Sequence, residues 1–509
     1  VKGNAMLKAH VTLDPAAVVA PVSRRLFGTF VEHMGRCVYT GIYEPGHPLA
    51  DEDGFRTDVL ALTRELGVTT VRYPGGNFVS GYRWEDGIGP RAQRPRRREL
   101  AWHSIETNEI GIDEFARWAA KAGVEIMYAV NLGTRGVQEA LDVHEYCNQP
   151  AGTTLADLRR ANGAEQPYGI AMWCLGNELD GPWQLGHKNA AEYARLAAET
   201  ARALRAAEPG LQLVACGSSG STMPTFGSWE STVLEETYDL VDYISCHAYY
   251  EEYDGDLGSF LACANDMDHF IDSVVATADS VGARLRSRKK IQLSFDEWNV
   301  WYLSRFQGGP PPTEWQVAPR VIEDEYNVAD AVVVGNLLIA LLRHSDRVTA
   351  ACQAQLVNVI APIRTEPGGP AWRQSIFHPF ARTAALARGD VLRTAVDGPS
   401  YETERYGTAA TVDAVATHDP ATGDLVLFAV NRDRAEPVEL TVGLRAFGAG
   451  ARPAGTWTLA DDDLLATNTA DSPDRVTLDT SGTVTVDGDT ATVVLPPVSW
   501  TAVRFRKPS

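Results

Sequence analysis

The chain is short of several things, and each shortage excludes a class of protein. Its seven cysteines in 509 residues contain no CxxC pair, so neither a zinc ribbon nor a redox dithiol is written into it. The count is odd, and Cys174, Cys216, Cys246 and Cys352 lie inside apolar runs. Free buried thiols are expected, which suits a reducing, cytoplasmic compartment. The opening Val1-Lys2-Gly3-Asn4-Ala5-Met6 lacks the apolar stretch of a secretory signal, so export is not expected. No apolar run is long: the most apolar, Val332 to Leu342, is about half of the roughly 20 residues that cross a bilayer, and reads as a buried helix. Positive charge is scarce as well. Lys and Arg total 46 against 66 Asp and Glu, a net charge of -20, which repels nucleic-acid phosphates and anionic lipid. The one basic run, Arg94 to Arg98 around Pro95, reads as a solvated loop. Among the eleven histidines, His33, His47, His103, His187 and His247 show neither HxH nor HExxH spacing. Neither a metal nor another cofactor is expected, and neutral or polar small molecules are the favoured partners.

What is present is a large alternating pattern. Hydrophobic residues make up 44% and charged residues 22%, in a chain about three times the length of a roughly 150-residue domain. Eight short apolar runs stand out: Phe27–Val31, Val68–Tyr73, Val124–Val130, Ala171–Gly176, Leu211–Cys216, Val241–Cys246, Ile291–Phe295 and Thr349–Ala354. Between them, stretches such as Phe55–Leu66, Ile112–Ala122, Ala190–Ala207, Met267–Val281 and Tyr326–Arg343 bring apolar residues round every three or four positions. Eight such alternations predict a (β/α)8 TIM barrel. A doubly wound open sheet competes, but no GxGxxG follows the first run. After about residue 385 the pattern turns to Thr, Val and Leu alternation broken by Gly, Asp and Pro, which predicts an antiparallel β-sandwich, jelly-roll-like in character. Residues 418–424 read as a hairpin turn between Val412–Ala416 and Leu425–Val430. The expected division is an N-terminal strand over 1–20 joining the sandwich, a catalytic barrel over 21–384 and the sandwich over 385–509. With no low-complexity linker, the domains should pack directly together.

In a barrel, chemistry gathers where strands end. The fourth run closes on Asn177-Glu178 and the seventh on Asp296-Glu297-Trp298-Asn299. Two carboxylates on separate strands would face each other across the mouth. Acetal hydrolysis needs a proton for the leaving oxygen and negative charge beside an oxocarbenium-like centre, and a carboxyl pair supplies both. Glu178 and Glu297 are therefore the candidate catalytic residues. Further polar strand ends, Glu32, Asn77 and Asn177, have the donors and acceptors that sugar hydroxyls require. Trp102 and Trp298 could stack on apolar sugar faces. Cys37 and Cys174 lie near these motifs, but apolar neighbours would raise a buried thiol's pKa and leave it inert.

The segments Phe27 to Arg36, Arg72 to Phe78, Ala101-Trp102, Trp173 to Trp183, Asp296 to Asn299, Gln355 to Ile363 and Asn431-Arg432-Asp433 together resemble the α-L-arabinofuranosidases of glycoside hydrolase family 51. The resemblance runs through essentially the whole chain. It implies retaining hydrolysis of terminal arabinofuranosyl residues from oligosaccharides, with Glu178 as acid/base and Glu297 as nucleophile. It also implies that Glu32, Asn77, Asn177 and Gln355 bind ring hydroxyls, that His247 and Tyr249 support the catalytic pair, and that the protein forms a homo-oligomer, a hexamer. Retention places the carboxyl groups roughly 5 to 5.5 Å apart, close enough that a charged Glu297 should keep Glu178 protonated. A rival reading is another furanosidase, notably one acting on β-D-galactofuranosides. The residues that would separate the two lie in loops such as 250–260 and 300–320. A non-catalytic sugar-binding protein is the reading of a different class.

Overall fold

A computed structural model describes residues 6–307, 313–447 and 450–506. The eight apolar runs form the eight strands of a closed parallel barrel: β1 (Gly28–Phe30), β2 (Thr70–Tyr73), β3 (Glu125–Ala129), β4 (Met172–Leu175), β5 (Gln212–Ala215), β6 (Tyr243–Tyr250), β7 (Gln292–Val300) and β8 (Val348–Gln353). Each strand pairs with its sequence neighbours, and β8 closes the ring on β1. Eight helices follow the strands in turn: α1 (Thr57–Leu66), α2 (Ile112–Ala122), α3 (Val137–Asn148), α4 (Ala190–Ala207), α5 (Ser228–Thr237), α6 (Ala264–Arg284), α7 (Val328–Arg343) and α8 (Phe377–Leu386). Their starts are set by local chemistry. Before α4, Asn189 accepts from the Glu192 amide while Glu192 accepts from the Asn189 amide, and Asn327 and Asp330 repeat that box before α7.

The sandwich uses strands from both sides of the barrel in sequence. One sheet orders Val18–Pro21, Asp390–Leu392, Val412–Asp419, Asp424–Asn431, Ser499–Arg506 and Arg452–Leu459; the other orders Ala395–Asp397, Leu7–Thr12, Val438–Gly443, Thr490–Leu495 and Val484–Asp487. The predicted hairpin is present, with its turn narrowed to residues 420–423. Alternation along Asp424–Asn431 divides its side chains between two cores. Leu425, Leu427 and Ala429 pack between the sheets, while Val426, Phe428 and Val430 join the core of the barrel side.

Every residue of α7 from Val328 to Leu342 is buried, because the helix lies between barrel and sandwich. Gly335 permits the close approach, since a Cβ there would sit 2.2 Å from Cδ1 of Trp500. Beside it is a buried polar joint. Arg432 donates to Asn336 Oδ1 (2.6 and 3.0 Å) and to Asp413 Oδ2 (3.1 Å), Asn336 donates to the same Asp413 oxygen (2.7 Å), and Arg343 pairs with the other. Burial alone would raise the Asp413 carboxyl, but Arg343 and Arg432 hold it below the usual carboxylate range. A depressed folded value means that this carboxylate stabilises the fold above the ordinary Asp range, and that the contribution is lost as pH falls through the depressed value.

The basic run is not wholly solvated. The Arg94 side chain is buried and forks onto Glu114 (2.9 and 3.0 Å), because the loop folds back on the start of α2. All seven cysteines are buried and free. Burial lifts the Cys37 thiol to about 12 and Cys174 well above its ordinary value. Among the described residues no helix is long and apolar enough to cross a membrane.

Replacing Arg432 by Ala should leave Asp413 buried with half its positive partners and cost about 3–5 kcal/mol. Chemical denaturation would measure this, and a loss within about 0.5 kcal/mol, as for a surface substitution, would refute the joint.

Candidate active site

Two local irregularities create the site. Beyond β4 the chain turns at Gly176 (φ +102), where a Cβ would meet Leu179 at 2.7 Å. Glu178 then takes φ +45, a left-handed conformation that costs a non-glycine residue on the order of 1–3 kcal/mol and marks functional turns. The turn closes through the Gly181 amide, which donates to the Glu178 carbonyl at 2.9 Å. On β7, pairing with β8 slips register between Phe295 and Trp298. Strict alternation would send Asp296 and Glu297 to opposite faces; the irregularity lets both reach the same cations.

Glu178 is 9% and Glu297 4% exposed, and their nearest side-chain oxygens lie within 4.8 Å of each other and of a nitrogen of His247. His247 binds Glu178 Oε1 through Nδ1 (2.8 Å) and Asp296 Oδ1 through Nε2 (2.9 Å), with Glu297 Oε2 at 3.5 Å. Burial works against a charge on this imidazole, but Glu297, Asp296 and Glu178 outweigh it and lift its pKa to about 10. Arg72 donates to Glu297 Oε1 (2.9 Å) and to Asn177 Oδ1 (2.6 Å), and Tyr249 donates its hydroxyl to Glu297 Oε2 (2.6 Å). Burial pushes the Glu297 carboxyl up, His247 and Arg72 pull it back, and the net direction is upward. From the residues alone, like charge is expected to weigh on Glu178. In the structure Glu297 is the more deeply buried of the two, and two cations offset that burial.

The remaining polar strand ends collect around the pair. Glu32 Oε1 accepts from the Phe78 amide (2.9 Å) and the Trp102 indole (2.7 Å), and Oε2 accepts from Gln355 (3.0 Å). Burial raises this carboxyl to about 8. Gly76 makes room for it, since a Cβ there would lie 2.1 Å from Glu32 Oε2. Asn177 donates to Asn77 Oδ1 (3.3 Å). Trp102 is half-buried, its amide and that of Ala101 tied to Glu99 (both 2.7 Å).

Trp298 does not belong to this set. It is fully buried and stacks on Phe380 of α8, 6.4 Å between centroids and 16° between planes, so it fills the layer between barrel and helices and cannot meet a sugar. Conversely, Arg72, Asp296 and Trp183 belong to the site without being expected there. A charged residue amid the apolar Val68–Tyr73 run was the available signal for Arg72, and a carboxylate directly before Glu297 the signal for Asp296. Trp183 donates its indole N–H to Glu178 Oε2 at 2.8 Å. In the loops expected to set specificity, residues 308–312 lie outside the described residues.

Glu178, His247 and Glu297 are spaced as metal ligands could be, but both ring nitrogens of His247 are already engaged, Nδ1 by Glu178 Oε1 and Nε2 by Asp296 Oδ1. The acidic trio Asp51, Glu52 and Asp53 converges instead on the ammonium of Lys121 (2.7, 3.2 and 2.7 Å). The site is thus a polar shell around two close carboxyls flanked by two cations.

Family models described as an α-L-arabinofuranosidase 1 domain and an α-L-arabinofuranosidase C-terminal domain match residues 62–268 and 296–499. An intracellular exo-α-(1→5)-L-arabinofuranosidase from Streptomyces lividans is 58% identical over 99% of this chain and 76% of its own. An exo-α-(1→6)-L-arabinofuranosidase from Bifidobacterium longum is 56% identical over 99% and 98%. Among solved structures, a family 51 α-L-arabinofuranosidase from Bifidobacterium longum superposes with a TM-score of 0.94 at 52% identity, covering 99% of this chain and 100% of that one. An arabinose complex of the Thermotoga maritima enzyme superposes at 0.87 with 33% identity, covering 98% and 99%.

The imidazole of His247 gives the site a direct test. A folded value near 10 against an ordinary 6.5 means that its protonation stabilises the fold fully below about pH 6.5 and that this contribution fades as pH rises toward 10. Nitrogen NMR of histidine-labelled protein should show both ring nitrogens of His247 protonated at pH 7. A neutral tautomer at that pH would remove the central cation.

Proposed function

The chain belongs to the α-L-arabinofuranosidases of glycoside hydrolase family 51, and on that premise we propose that it removes terminal non-reducing α-L-arabinofuranosyl groups from arabinose-containing oligosaccharides with retention of configuration. The observation that carries the proposal is the spacing of the carboxyl oxygens of Glu178 and Glu297, within 4.8 Å of each other. That is the range of a double displacement, and too close for the two carboxyls of an inverting enzyme with a water between them. Glu297 as anion bonds the anomeric carbon while the glycosidic C–O bond breaks and the proton of Glu178 passes to the departing oxygen. In the second half, Glu178 takes a proton from water, whose oxygen bonds the anomeric carbon as the bond to Glu297 breaks. Arg72 and His247 each approach both Asp296 and Glu297, so the nucleophile sits among positive partners. Glu32, Asn77, Asn177 and Gln355 supply hydrogen bonds to the ring hydroxyls, and Trp102 a flat face.

The names of the relatives favour arabinofuranosides over galactofuranosides as substrates. Two relatives of nearly equal identity carry different linkage names, (1→5) and (1→6), so identity does not choose between linkages. Cytoplasmic placement is supported by relatives named intracellular and by seven unpaired thiols. A homo-hexamer rests on the family resemblance; light scattering should return a mass near six times the 55.3 kDa chain, and a monomer would overturn it.

Side-by-side assay of nitrophenyl furanosides and pyranosides should show turnover of the α-L-arabinofuranoside above all others. Glu297→Ala should abolish turnover, with azide giving a glycosyl azide of inverted configuration. Glu178→Ala should spare substrates whose leaving group needs no proton. Wild-type activity of either variant on a natural glycoside would defeat the assignment.

A further inference from the structure

Trp183 is 53% exposed, far more than other tryptophans near the site, yet its indole N–H is committed to Oε2 of Glu178 at 2.8 Å. The local backbone is built for this. Gly181 sits at the close of the Glu178 turn, and a Cβ there would lie 2.5 Å from Cε2 of the indole, so only glycine lets the ring fold back over the turn to reach the carboxyl. The two oxygens of Glu178 thus have separate donors, His247 on Oε1 and Trp183 on Oε2. Two donors on opposite oxygens fix the plane of a carboxyl group that would otherwise rotate. Each oxygen has two lone-pair directions, so Oε2 can accept from the indole and still carry the proton destined for the leaving oxygen.

Geometry then constrains what lies beyond that oxygen. The group attached to the glycosidic oxygen on the side away from the arabinofuranosyl ring must leave from beside Oε2, and the exposed face of Trp183 is the apolar surface next to Oε2. A flat aromatic face is a good seat for a sugar ring. Resting on the activity proposed above, we infer that Trp183 is a positioning residue that couples the leaving group to the acid: one ring aims the Glu178 carboxyl through its edge and receives a sugar leaving group on its face. A sugar alkoxide leaves only with a proton, whereas a nitrophenolate leaves without one, so the indole N–H matters for the first class and much less for the second. A donor to a carboxyl group of this kind is worth roughly tenfold to a hundredfold.

The test compares kcat/KM, which reports the first half-reaction alone, for an arabinofuranosyl disaccharide and for 4-nitrophenyl α-L-arabinofuranoside. Trp183→Phe keeps an aromatic face and deletes the N–H. It should lower the ratio of disaccharide to nitrophenyl kcat/KM by fivefold or more and move the alkaline limb of the disaccharide pH profile. Trp183→Ala should add a rise in KM for the disaccharide. A ratio that changes by less than fivefold in Trp183→Phe, whether both substrates suffer equally or neither does, would overturn the coupling and leave Trp183 a packing residue. Wild-type protein that cleaves neither substrate would instead overturn the parent activity.

Discussion

The site depends on one buried cation shared among three carboxylates. Two carboxyls within 4.8 Å of each other would repel by about 3 to 4 kcal/mol at an effective dielectric of 20 were both ionised, more than a folded protein concedes without return. His247 bridges Glu178 and Asp296 and approaches Glu297, while Arg72 meets Glu297 from the opposite side. Remove those charges and the two glutamates would move apart or both take protons. Either change ends the difference in protonation that double displacement requires. Positioning of the pair is therefore an electrostatic result before it is a steric one, and the barrel serves it by aiming β2, β4, β6 and β7 at a common point.

This dependence explains what could be read from the residues alone and what could not. The eight strands were legible because a parallel strand buried on both faces is a nearly continuous apolar run, and α2 and α4 were legible to the residue because their apolar positions recur with helical period between good caps. Glu178 was legible as a carboxylate just beyond an apolar strand and Glu297 as one following an apolar run, although β7 continues through Glu297 to Val300 instead of ending there. Asp296 was not, because alternation assigns neighbours to opposite faces, and only a register slip against β8 brings it round to His247. Arg72 was hidden by its setting: a guanidinium in the middle of a core strand has meaning only once its partners from β4 and β7 are known.

Trp298 shows the same limit from the other side. Its neighbours in sequence belong to the site, yet its side chain fills the layer under α8. Trp102 and Trp298 could not be told apart by type or by proximity to motifs. They differ in what each indole meets, a carboxylate in the first case and a phenyl ring in the second. Trp183, five residues beyond Glu178, carries no signal of a role in the sequence, because a tight glycine turn is needed to return its ring to the acid.

The strand Val18–Pro21 lies alongside Asp390–Leu392, and Leu7–Thr12 lies between Ala395–Asp397 and Val438–Gly443. The sandwich therefore clasps the barrel at its point of entry and its point of exit. Sheet pairs that span several hundred residues form late, since their loop entropy must be met before any bond rewards it. During synthesis the leading strands must wait, unpaired, until the whole barrel and part of the tail have emerged. Completion of the barrel brings its two ends together and so shortens the effective distance over which the clasp must close, which makes the catalytic domain the template on which its own companion is assembled.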